Sequence, residues 1–438
     1  MYVTTILGLF LIISWLVVFS IIAHRKLEYG ILAILLLLPV YHFRLKIGWV
    51  PTTVLELMIY IVAGESLRQV FRDRPLTPLY ERIINLAYSF LGGIEKRRSM
   101  FWALLLWVGL LTSVAISTDL SSSMGILKAW FFDPMLFVGI VYWYFRKLDK
   151  DKRGQLLDNV INAIALSGLI TSIIALAYYF TGNTTFDGRL ASFYDSPNQL
   201  AMFLELTFLT ALFVSPRGYV AKKHIRIAFA LIIGIVILLT QSTGALLGVL
   251  GALFVLIIIK TMVNKKYVII KTILFASMAI AVLLPALSLS PTTSLRIDKF
   301  FGEHSSVTSR TQIWRSAITI GVDHPVLGIG PGTFQGHYLE YQKGFSPYLE
   351  WAAPHPHNLF LTTWLYAGFL GLVAILGILV VMVNRVSSNS NDNPRLKLLI
   401  LLVIMSSLIH GSVDTVFWSN ELSVITTLLL TMGYSQRN

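Results

Sequence analysis

Apolar residues run along this chain in blocks, most of them long enough to cross the ~30 Å hydrocarbon core of a bilayer as a helix, with short polar stretches between them. Val3 to Ala23 is the first block and ends at His24-Arg25-Lys26. It has no preceding basic segment and no small-residue cleavage site, so it reads as a retained span and not as a signal peptide. A short run, Tyr29 to Tyr41, comes next with Arg44 and Lys46 behind it, and Pro51 opens a third run to Ala63 that leads into Arg68, Arg72 and Arg74. Tyr80 to Ile94 mixes charges with apolar residues at near-helical spacing and suits a helix lying along the membrane surface. Further spans are expected at Met100–Ser117, Met124–Phe145, Leu156–Thr181, Gln199–Val214, Ile225–Thr240, Ala245–Ile259 and Tyr267–Leu289. After a long polar interruption come Leu359–Val383, Leu398–Ile409 and Glu421–Met432. The pattern predicts an all-α polytopic membrane protein of about twelve or thirteen spans, with the ambiguity near the N-terminus.

Basic clusters mark the cytoplasmic side of such a chain. Arg146–Arg153, Arg217–Arg226 and Lys260–Lys266 fall on one side; Thr118–Ser123, Gly182–Asn198 and Gln241–Gly244 alternate on the other. That alternation puts the interruption, Ser290 to Asn358, on the extracytoplasmic face. Its five bases (Arg296, Lys299, Arg310, Arg315, Lys343) balance five acids (Asp298, Glu303, Asp323, Glu340, Glu350), so the positive excess lies elsewhere. The expected organisation is N-terminal spans over 1–289, an outer catalytic loop over 290–357 and C-terminal spans over 358–438. The C-terminal Gln436-Arg437-Asn438 belongs inside.

Composition narrows the class. Of 438 residues, 55% are hydrophobic and 13% charged, and the net charge of +13 sits in short inter-span clusters, which argues for a lipid bilayer as partner and against nucleic acid. There are no cysteines, so disulfides, thiolate metal sites and a cysteine nucleophile are excluded. No internal repeat of the transporter kind is visible, and low complexity is confined to Ser387–Asn393.

Ionisable residues in or beside spans need partners or a function. In the loop, Ser305–Ile320 has helical spacing, with Arg310 and Trp314 on one face and Arg315 on another. Arg310 suits planar recognition of phosphate or carboxylate, or else an ion pair within the loop. The run Pro325-Val326-Leu327-Gly328-Ile329-Gly330-Pro331-Gly332 lacks the Lys-Ser/Thr ending of a nucleotide loop and reads as a tight structural turn. His355 and His357 stand two apart across Pro356, a poor metal spacing with no acidic third ligand nearby in sequence. A histidine here suits general-base work; capping the next helix is the other reading, and Asn358 fits it at least as well. Arg189, on an outer loop, runs against the inside bias of basic residues, and with Arg310 it would hold a diphosphate without a metal. Lys128 either pairs with Asp133 or adds a third cation to that site, and Asp414, following His410 and Gly411, is a weaker candidate of the same sort.

Ser309-Arg310, Trp314, Ala317, Pro325, Gly328-Ile329-Gly330 and Gly332-Thr333-Phe334, followed by His357-Asn358-Leu359 and Tyr366-Ala367-Gly368-Phe369-Leu370-Gly371, form an ordered series. It resembles the O-antigen ligase and O-antigen polymerase superfamily of bacterial membrane glycosyltransferases. Arg189, Phe193, Pro197-Asn198 and Leu200-Ala201 resemble an earlier signature of the same family. The resemblance covers Met100 to the C-terminus and implies a C-type membrane glycosyltransferase fold in the bacterial cytoplasmic membrane, with the active site on its outer face. It implies metal-independent transfer, without a cofactor, from an undecaprenyl-diphosphate-linked glycan donor to a glycolipid, glycan or protein acceptor. His357 corresponds to the family's loop histidine, Arg310 to its loop arginine and Arg189 to its outer-loop arginine; the match at Arg315 is loose. Ligation to a lipid core, repeat-unit polymerisation and transfer to a protein hydroxyl stay open. The rival from another class is a lipid-linked glycan transporter, which predicts polar groups spread across the mid-plane of several spans.

Overall fold

In hydrocarbon a backbone has only itself to bond to, so apolar runs fold as helices. The structure, a computed structural model, describes residues 6–47, 50–73, 94–214, 223–263, 306–345, 353–387 and 393–432. The chain is an all-α polytopic membrane protein. Among the described residues, six helices are long and apolar enough to span: Ile6–Arg25, Arg98–Ala115, Leu120–Lys147, Lys150–Phe180, Leu359–Val386 and Pro394–Gly411. Leu27–Leu36, His224–Thr240, Thr243–Ile259 and Asn420–Met432 are shorter apolar helices. The expected span Tyr267–Leu289, the surface helix Tyr80–Ile94, the start of the loop at Ser290–Ser305 and the tail Gln436–Asn438 lie outside the described residues.

In chain order the helices are α1 (Ile6–Arg25), α2 (Leu27–Leu36), α3 (Val54–Asp73), α4 (Ile94–Ala115), α5 (Leu120–Lys147), α6 (Lys150–Phe180) and α7 (Pro197–Ala211). Then come α8 (Lys223–Thr240), α9 (Thr243–Val263), α10 (Ser306–Asp323), α11 (Phe334–Tyr341), α12 (Leu359–Ser387), α13 (Pro394–Gly411) and α14 (Asn420–Met432). The short second run ends in a 3₁₀ turn, Leu38–His42, and the chain then makes an antiparallel hairpin of β1 (Arg44–Ile47) and β2 (Val50–Thr53) that the hydrophobic pattern did not announce. The hairpin hands directly to α3 through a capping box: the Glu56 amide donates to Thr53 Oγ1 at 3.2 Å and the Thr53 amide to Glu56 Oε2 at 3.3 Å.

Two packing features position the loop. Alpha-4 crosses α12 where a Cβ at Gly109 would overlap the Ala367 carbonyl, so the two backbones touch. One residue on, Gly368 (φ 65°, ψ −170°) breaks α12. The break is filled by the glycine run before α11: the Ile329 amide donates to the Leu365 carbonyl at 2.8 Å, and the Phe369 amide to the Val326 carbonyl at 3.0 Å. Gly328 (φ 71°) lies so close that a side chain there would meet the Leu365 carbonyl. The run is therefore a structural turn that locks α10 and α11 onto a kinked span. Ile313, Ala317, Ile320, Ile329, Phe334, Tyr338, Leu365 and Tyr366 form the apolar core beneath it.

Candidate active site

The loop reaches α12 through Ala353–Asn358. Asn358 is the helix cap, its Oδ1 accepting from the Phe360 and Leu361 amides at 3.0 Å each, while its Nδ2 donates to the Ser412 carbonyl at 2.9 Å. With that task taken, His357 is free for another. It sits at φ 50°, left-handed backbone that a non-glycine residue adopts at a cost, and such residues gather at functional sites. Trp314 on α10 donates from Nε1 to the His357 carbonyl at 3.3 Å, so the Arg310–Trp314 face expected from spacing is the face turned to the histidines.

The His357 ring donates from Nδ1 to Asp414 Oδ1 at 3.1 Å. Asp414 lies 1% exposed in the turn between α13 and α14. Its Oδ1 also accepts from the Thr415 amide at 2.8 Å, and its Oδ2 faces the Arg310 guanidinium at 3.9 Å. Burial pushes this carboxyl up, but the charge and hydrogen bond of His357, with His355 and His410 nearby, outweigh it and hold the group well below the usual carboxylate range. An ionised Asp414 holds a proton of His357 on Nδ1. His355, stacked edge-on to His357 with centroids 4.3 Å apart, uses its own Nδ1 as an acceptor, from Thr415 Oγ1 at 3.0 Å and the His357 amide at 3.4 Å. Burial first and then His357 push the His355 imidazole down to about 3, against the pull of Asp414.

Asp414 supplies the acidic neighbour that the sequence around the histidines lacks. Donor atoms of His355, His357 and Asp414 all lie within 4.8 Å of one another, a spacing open to a cation. Their hydrogen bonds, however, already commit Nδ1 of both rings and one Asp414 oxygen to each other and to Thr415.

The remaining candidates have different settings. Arg189 donates from Nε to the Thr240 carbonyl at 2.9 Å and from a terminal nitrogen to Asn198 Oδ1 at 2.6 Å, tying its loop to the turn between α8 and α9. That turn and that loop carry two more left-handed non-glycine residues, Gln241 (φ 54°) and Ser192 (φ 56°). Lys128 pairs with Glu56 and lies 3.6 Å from Asp133, so the expected pairing within α5 is present, joined by a second carboxylate from α3. Tyr60 donates to Asp133 at 2.7 Å, and Asn420 at the start of α14 donates to Glu56 at 3.1 Å. Lys128 occupies a π-helical turn, Leu127–Phe132, that a regular span does not predict. Arg315 is exposed on the side of α10 away from its buried residues.

Next to the Asp414 turn lies an apolar cavity of about 370 Å³ between α4, α5, α12 and α14. Trp130, Phe131, Phe417 and Trp418 line the end nearest the turn, and Met382 and Thr431 the far end. Sequence reasoning passed over Glu205 and His410, buried in α7 and α13, whose side chains meet at 2.5 Å between Nδ1 and Oε2. The available signal was a lone glutamate inside an apolar run, which calls for a partner.

Residues 228–376, from α8 through His357 to the kinked half of α12, match the model of a family described as O-Antigen ligase. This stretch is of the O-antigen ligase superfamily. The O-antigen ligase match brings ligase- or polymerase-type glycosyl transfer at a membrane as the general activity, with lipid-linked glycan and acceptor as the kinds of partner. Arg189, Lys128 and Asp414 lie outside the matched residues. No curated protein matches the chain.

Proposed function

We propose that this protein transfers a glycan from an undecaprenyl-diphosphate carrier to an acceptor hydroxyl on the outer face of the bacterial cytoplasmic membrane, inverting the anomeric centre and using no metal. The observation that carries the reading is the set His357, Asp414 and Arg310, assembled from a loop, a turn and α10. In the proposed step the acceptor oxygen bonds to the anomeric carbon as the bond to the diphosphate breaks, and the diphosphate leaves with the electron pair. Nε2 of His357 takes the hydroxyl proton, a role worth about 10² to 10⁴ in rate. Asp414 then stabilises the imidazolium. Arg310 and Arg189 would meet the negative charge developing on the leaving group, where preorganised cations in a water-poor site are most effective. Attack opposite the leaving group inverts the sugar. The apolar cavity, ending at Trp130 and Trp418, would take isoprene units of the carrier. Lys128, already shared between two carboxylates, has no part in this account.

Donor consumption by purified protein in detergent tests the reading. Arg310→Ala and Arg189→Ala should each lower turnover by about 10² or more while insertion and folding persist, as for other charge-stabilising donors; wild-type turnover in either would remove the cation pair. Activity should survive EDTA. Loss that returns on adding a divalent cation would instead turn His355, His357 and Asp414 into a ligand set.

A second reading, a lipid-linked glycan transporter, draws on the buried Glu205 and His410. Carrier flux in proteoliposomes with no donor consumed would be its signature.

A further inference from the structure

Glu205 and His410 have no part in the transfer step, yet the fold makes room for them. Both are buried to 1% exposure, and Ser406, one turn before His410 on α13, donates to the other Glu205 oxygen. Two glycines a turn apart on α9 face the pair: a Cβ at Gly248 would overlap Oε1 of Glu205, and one at Gly244 would overlap the His410 ring. His410 is also the residue on which the next turn hangs. Its carbonyl accepts from the Val413 amide at 3.0 Å and the Asp414 amide at 2.9 Å, just where the chain leaves α13 to deliver Asp414. A side chain pinned from α7 therefore fixes the backbone that aims the carboxylate at His357.

We propose that Glu205 is a positioning residue: by holding His410 it fixes the α13 terminal turn that presents Asp414 to His357. The inference rests on His357 being the base of the transfer step. It assigns the pair a task beyond filling the core, because a core role alone would leave the His357–Asp414 hydrogen bond untouched in protein that still folds.

The test uses the full chain in detergent with a synthetic undecaprenyl-diphosphate oligosaccharide. Glu205→Leu removes the tie and should lower kcat by about 10- to 100-fold, the scale set by a misplacement of about 1 Å, with KM for the donor unchanged. Glu205→Gln keeps an oxygen for the His410 N–H and should restore most of kcat. A wild-type kcat in Glu205→Leu, or equal losses in the two variants, would overturn the proposal. Gly248→Ala, which displaces the same carboxyl, serves should Glu205→Leu not fold. A second readout needs no turnover. In protein labelled with ¹⁵N-histidine, the downfield Nδ1–H resonance of His357, assigned by its loss in His357→Ala, should persist in Glu205→Gln and vanish in Glu205→Leu or Gly248→Ala. Its persistence in all three would overturn the proposal. Should wild type consume no donor, the transfer reading fails while this resonance still decides whether Glu205 positions Asp414.

Discussion

At the scale of single residues the site is a sorting of similar groups into different tasks by their hydrogen bonds. Asn358 caps, His355 accepts, and His357 donates to Asp414, which leaves one ring nitrogen for chemistry. The neutral state of His355 has a consequence for stability. Its folded pKa, about 3, lies below the ordinary 6.5, so the unfolded chain binds a proton that the folded chain refuses between those values. Its contribution is complete above the ordinary histidine value and is lost as pH falls toward the folded one. Wild-type unfolding temperature should decline more steeply over that window than that of His355→Gln, whose unfolded state lacks this extra proton; parallel curves would contradict the assignment. His357 and Arg310 were legible in the sequence because a polar loop against a span singles them out, and Arg310 and Trp314 share a face by spacing alone. Asp414 was only faintly legible; a glutamate inside an apolar run marked Glu205 as needing a partner, but His410 stands 205 positions away and nothing local links the two.

Among elements, the decisive one is the broken span α12. Its first part carries His357 at its entrance, and its kink receives the glycine run, so loop and membrane domain are one packed unit. A Cβ at Gly368 would run into the Val326 carbonyl, and the residue holds φ 65°. Gly368→Ala should cost about 1–3 kcal/mol or more. Gly64, in α3 with open space around its Cα, should instead gain up to about 1 kcal/mol on the same change. Thermal unfolding of the two variants reads both; a neutral Gly368→Ala would contradict the docked-turn account. Among the described residues the long apolar runs were legible as helices, since a run of about 20 apolar residues has few other fates, while the runs from Pro51 and Gln199 form helices outside the set long and apolar enough to span. The β1–β2 hairpin and the π turn in α5 were not legible. The hairpin strands are only four residues each, too short to show as an alternating pattern, and the π turn answers a tertiary partner, bringing Lys128 to Glu56.

Across the whole molecule, Arg310 and His357 of the loop meet Asp414 of the turn before α14, and an apolar cavity lined in part by Phe417 and Trp418 of the same turn opens beside them. On the proposed function, that division suits a substrate with a charged, sugar-bearing head and a hydrocarbon tail, in keeping with a chain that is 55% hydrophobic. The most direct measurement is donor consumption by detergent-solubilised wild type and His357→Ala, with products identified by mass spectrometry against lipid, glycan and peptide acceptors. Glycan moved intact to a hydroxyl by wild type, and a loss of about 10² or more in the variant, is the result this account predicts. Equal consumption by both proteins would contradict it.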